Sequence, residues 1–218
     1  MRATVRYLLA EYLRSWRFVA PGVLLVAGVI VAYAQPPNPV LSTAASVIPL
    51  LFAAQCWLTL AFFNSQGSPD RHVLAATVGG RRFVLGRLLA AGAIAAIAAV
   101  VTGAIPFAGR RFAHPPTAGE LAAILFANLI GALGATALAA LFARPLIYSR
   151  VVSVLGLAVC AVLTVPLHLP GSAVPTAQAL DAGHAAHVPG RLAGDIMSLL
   201  VFTAAVGVVC AREWRRRD

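Results

Sequence analysis

Apolar residues fall into six long runs, Phe18 to Ala34, Val40 to Phe63, Leu88 to Ala108, Leu121 to Ala143, Val151 to His168 and Leu192 to Ala211. Each is close to the roughly 17–25 residues a helix needs to cross a hydrocarbon layer. Ahead of the first run, Val5, Leu8, Leu9, Tyr12, Leu13 and Trp16 recur at helical spacing, while Arg2, Arg6, Arg14 and Arg17 fall on other faces. Residues 2–17 therefore predict an amphipathic helix lying in the membrane interface, aromatics at headgroup level. Pro21-Gly22 then breaks the pattern. The end of the first run, Ala32-Tyr33-Ala34, imitates a signal-peptidase site, but no cleavage is expected behind so long an amphipathic segment carrying Glu11.

The breaks between runs differ in character. Residues 35–39 make an uncharged Pro-rich turn, and Pro49 is expected to bend the second span. Asn64 to Arg87 is a charged stretch with its own punctuation: Ser68 suits an N-cap, Pro69 the first helical position and Asp70 the first turn, and Gly79-Gly80 is a stop. A short helix over 68–78 follows, with Arg81, Arg82 and Arg87 behind it. Beyond the fourth run, residues 144–150 form a short basic turn. The longest opposite connection is 169–190, where Pro170, Pro175 and Pro189 bracket a short helix near Thr176 to Ala186. Within the fourth run, Ala127, Gly131, Ala135 and Ala139 make a small-residue stripe that lets two backbones approach, inside the chain or between chains.

Composition narrows the class to an all-α integral membrane protein of six transmembrane helices plus the N-terminal interfacial helix. Of its residues 60% are hydrophobic and 11% charged, with a mean hydropathy of +0.86. All 17 basic residues are arginine. Without lysine there is neither a Walker A loop nor a Schiff-base nucleophile. A net charge of +10 would suit nucleic acid, yet the arginines flank apolar runs, where they act as topology signals and contacts for anionic membrane lipid. With both termini inside, 14 of the 17 lie on the inner side, which puts Asn64 to Arg87 in the cytoplasm. Cys56, Cys160 and Cys210 are scattered through apolar runs and read as small buried residues.

The spans carry no ionisable group near their middles. Glu120, His168, Arg191 and Asp195 sit toward the outer ends, Arg191 and Asp195 as an i,i+4 anchoring pair. Gln55 and Asn128 are the deeper polar groups, suited to hydrogen bonding between helices or to a lining of the pathway. Ion-coupled transport is disfavoured. No H-E-x-x-H or G-x-S-x-G motif occurs, and Asp181, His184 and His187 in the outer segment drift round a helix instead of converging, so no metal site is assigned.

An amphipathic first helix, six spans, a short helix in the first inner loop followed by V-G-G-R-R-F-V-L-G-R-L-L-A at 78–90, and a long outer segment before the last span resemble the permease subunit of a bacterial type-2 ATP-binding-cassette exporter. The likeness covers nearly the whole chain in layout and residues 70–90 in sequence. Where that family commonly has a glutamate and a Gly-Thr pair, this chain has Asn64, Ser65, Gln66 and Gly67. The resemblance implies a multi-pass protein of the bacterial inner membrane and a permease dimer formed with a second copy or a related chain. It also implies a coupling helix at 68–78 that docks a separate ATPase subunit through Ser68, Asp70, Arg71, His72, Val73, Leu74, Val78, Arg81 and Arg82. ATP and magnesium would belong to that subunit; no cofactor is expected here. The alternative is a non-catalytic membrane scaffold or assembly protein.

Overall fold

Small side chains decide which helices occupy the middle. The computed structural model describes residues 2–34, 40–65, 73, 76–108, 117–143, 149–167, 176–178 and 188–215, and among them every regular element is a helix. The long ones are α1 (Arg2–Arg14), α2 (Val19–Ala32), α3 (Val40–Phe63), α4 (Gly80–Ala108), α5 (Ala118–Phe142), α6 (Arg150–Leu167) and α7 (Val188–Arg215). Helices α3 and α5 pack together most extensively, and α2, α4, α6 and α7 lie around them. Ala127, Gly131, Ala135 and Ala139 are all buried, so the stripe of small residues is used within the chain. Its lack of side-chain bulk lets α5 be enclosed on nearly every side.

Three helical stretches, Val40–Phe63, Arg82–Ala104 and Ala118–Phe142, are long and apolar enough to cross a membrane, or four if the bent pair α1 and α2 is taken as one span. That marks a membrane protein. The apolar parts of α6 and α7, Val151–Leu163 and Ala193–Val206, are shorter. Their outward faces are aliphatic, with Val152, Leu155 and Val159 on α6 and Met197, Leu200 and Val201 on α7 exposed.

Boundaries follow local chemistry. Gly79, at φ 88°, takes the left-handed conformation, and α4 starts directly after it. The third apolar helix thus begins eight residues before the run that starts at Leu88, and Arg81, Arg82 and Arg87 belong to its first turns. At α5 the Thr117 hydroxyl accepts from the Glu120 N–H at 3.3 Å, while Glu120 Oε2 accepts from the Thr117 N–H at 2.7 Å, a reciprocal capping box. Helix α3 runs through Pro49 as one element.

The N-terminal helix differs from expectation in what its apolar stripe faces. Leu8 and Tyr12 are 1% and 2% exposed, and Val5 and Leu9 pack on the same core cluster. Most of the stripe is therefore docked on protein, against the start of α4 and the end of α3, while Leu13 and Trp16 stay exposed. The chain then turns 80° into α2. Trp16 takes φ 55° at this elbow, a left-handed conformation that is unfavourable for a bulky residue.

Candidate functional site

The last carbonyls of any helix lack partners inside it and carry the negative end of its dipole. At the C-terminal end of α3 two arginines from other parts of the chain meet that need, and Tyr12 adds a bond to a carbonyl further inside the helix. The Tyr12 hydroxyl donates to Leu58 O at 3.0 Å, Arg17 Nη1 donates to Asn64 O at 2.7 Å, and Arg87 Nη2 donates to Phe63 O at 2.8 Å. Arg87 is 6% exposed. Its guanidinium carbon lies 4.7 Å from the Phe63 ring centroid and 5.6 Å from that of Phe83, so aromatic faces replace part of the hydration it loses. The Tyr12 ring meets Phe62 edge-on at 5.3 Å between centroids. Burial pushes the Tyr12 phenol well above its ordinary pKa, which keeps it a neutral donor. The result is a collar of α1, the elbow and α4 around the point where α3 leads into residues 64–79.

Beside the collar lies an apolar groove of about 520 Å³. Leu24 of α2 forms one wall. Leu50, Ala53, Ala54, Cys56, Trp57, Leu60, Ala61 and Asn64 of α3 form the floor, and Val154, Leu157, Ala158, Ala161 and Val162 of α6 form the far wall. Asn64 links groove and collar, since its backbone carbonyl is the one Arg17 holds.

The deep polar residues lie elsewhere. Gln55 is fully buried, and its Nε2 donates to Thr59 Oγ1 at 3.1 Å and, across to α5, to Thr136 Oγ1 at 3.2 Å. The Thr136 hydroxyl in turn donates to Ala132 O at 2.9 Å. Asn128 is 2% exposed and packs where Gly103 of α4 approaches α5; a Cβ at Gly103 would come within 2.7 Å of Leu125 Cδ2. Among the described residues Gln55 Oε1 and Asn128 Oδ1 have no hydrogen-bond partner. Neither residue lines the groove, and both act here in helix packing. Asp195 is buried and accepts from the Thr176 hydroxyl at 2.5 Å. Thr176 and Ala177, from the segment read as the outer connection, are themselves buried, Ala177 among Ile48, Ile130 and Leu199.

Of the residues assigned to ATPase docking, Ser68, Asp70, Arg71, His72 and Leu74 lie outside the described residues, as do Asp181, His184 and His187. Val73 is helical and exposed, Val78 helical and half-buried, Arg81 stands in the first turn of α4, and Arg82 is exposed. The structure thus brings Asn64, where the loop starts, and Arg87, about two turns into α4, onto one collar. Sequence alone marks Arg17 and Arg87 as topology signals and contacts for anionic lipid, not as partners of α3 carbonyls. The available hint was Arg87 four residues after Phe83, which puts cation and ring on one helical face. Comparison with protein-family models, with curated proteins and with solved structures finds no match.

Proposed function

We propose that the chain is the permease subunit of an ATP-binding-cassette exporter in a bacterial inner membrane. In this reading it has six spans, both termini are cytoplasmic, and α1 lies along the inner surface. It pairs with a second copy or a related permease to enclose the substrate pathway, and a separate ATPase, which carries ATP and magnesium, docks on the loop after α3. The observation that carries the reading is the collar. A push delivered to a loop is transmitted only if the loop is rooted in rigid elements. Residues 64–79 leave α3 at a terminus held by Tyr12, Arg17 and Arg87 and re-enter at α4, the helix that supplies Arg87. The groove between α2, α3 and α6 is the half-pathway each permease would offer. The scaffold alternative relied on a small-residue face for partners; those residues are buried within the chain, which counts against it.

The test is capture of the ATPase. Leu74→Asp, or deletion of residues 68–78, abolishes stoichiometric association with the ATPase through affinity purification, while the membrane domain keeps its helical circular dichroism. Retention of the ATPase on either variant refutes the docking assignment.

A further inference from the structure

The groove beside the collar is partly open, its lining carries no charge, and at its Asn64 end Arg17 stands beside it. Its walls are aliphatic, and Leu24, Trp57 and Val162 are 52%, 48% and 74% exposed, so it opens sideways onto the surface that faces hydrocarbon. Along α3 it extends from Leu50 to Asn64, about 21 Å at the helical rise of 1.5 Å per residue. That exceeds the depth of one leaflet, about half of the ~30 Å hydrocarbon core. A volume near 520 Å³ also falls within the range of about 300–1,000 Å³ common for small-molecule sites.

The Asn64 end is cationic. Arg17 holds the Asn64 carbonyl through one nitrogen while its guanidinium remains exposed. Trp16, next to it, is 74% exposed at the elbow, and tryptophan favours the headgroup level of a bilayer. Residues 2–34 contain four arginines and a single carboxylate, that of the half-buried Glu11. A long apolar slot that ends at an exposed arginine and an interfacial tryptophan matches one kind of molecule. We propose that the groove takes the hydrocarbon chain of an anionic lipid drawn sideways from the bilayer, with its phosphate at Arg17. The cargo of the pathway is then an anionic amphiphile. This last step rests on the permease reading, whereas binding itself does not.

The test uses full-length protein in which Trp57 is the sole tryptophan, Trp16 and Trp214 being replaced by phenylalanine. It is reconstituted into phosphatidylcholine vesicles containing either phosphatidylglycerol or phosphatidylcholine with brominated chains, which quench an indole on contact. Half-quenching of Trp57 is expected at about fivefold lower mole fraction of the anionic lipid, the preference one arginine near a phosphate supplies. Arg17→Gln retains a donor for Asn64 O and erases the preference. Ala161→Phe fills the groove, leaves the collar untouched and weakens quenching by either lipid. Equal quenching by both lipids means ordinary boundary lipid and overturns the proposal. Absence of quenching by either overturns it too, since no lipid chain then enters the groove. ATPase capture by the same protein separates the two conclusions: capture without lipid preference sinks this inference alone, and preference without capture sinks the permease reading alone.

Discussion

Arg87→Met removes a planar cation from the place where α3, α4 and the first loop converge. The interactions that go with it include a hydrogen bond from a charged donor to Phe63 O at 2.8 Å, and contacts with the Phe63 and Phe83 rings at 4.7 and 5.6 Å. A charged hydrogen bond contributes about 1.5–3 kcal/mol, and a desolvated cation–π contact up to about 2 kcal/mol. Methionine fills similar space and spares the fold the desolvation of a charge, which offsets part of the loss. The net cost is about 2–3 kcal/mol, a shift of roughly 30- to 150-fold in the folded-to-unfolded ratio. Unfolding of the purified protein in mixed micelles, driven by sodium dodecyl sulfate and followed by circular dichroism, reads that shift as an earlier midpoint. Arg87→Lys keeps the charge and one donor but has no planar face to stack, so it recovers about half of the loss. If the methionine variant unfolds at the wild-type midpoint and still captures the ATPase fully, the collar neither stabilises α3 nor roots the loop.

Two further outcomes follow from single residues. Gln55→Met deletes the partnerless Oε1 together with the two bonds from Nε2, so it is expected to leave the unfolding midpoint within about 1 kcal/mol of wild type. Gln55→Glu strips both donors and adds a buried charge, with a loss above about 3 kcal/mol; equal midpoints for the two variants would show that the site is wet. At the elbow, Trp16→Gly and Trp16→Ala both remove the indole, but only glycine accepts φ 55° freely. The glycine variant is therefore more stable than the alanine variant by about 1 kcal/mol, and the reverse order would mean that the elbow is not held in the left-handed conformation.

Much of the helical layout was legible along the chain. The second apolar run coincides with α3 from Val40 to Phe63, because both its ends are marked by polar or proline-rich breaks. The stop at Gly79 was legible for a backbone reason. The start of α4 was not, because hydropathy counts Arg81, Arg82 and Arg87 against a span although a helix can begin before its apolar part does. The candidate site was the least visible part. Its defining bonds join Tyr12 to Leu58 and Arg17 to Asn64, separations of 46 and 47 residues that no local pattern encodes.

The amino-acid sequence by itself therefore determined that this is a helical membrane protein and where most of its apolar residues form helices. Those conclusions depend on composition and periodicity, which act through local backbone geometry and transfer into lipid. Only the tertiary structure decided what each face meets. The stripe Val5, Leu8, Leu9 and Tyr12 is equally suited to lipid and to protein, and it went to protein, where it packs on the core cluster and the Tyr12 hydroxyl bonds Leu58 O of α3. The same placement turned Arg87 from a mark of topology into a buried ligand of Phe63 O. Periodicity specifies that a helix has an apolar face; which neighbour covers that face depends on carbonyls and rings far away along the chain.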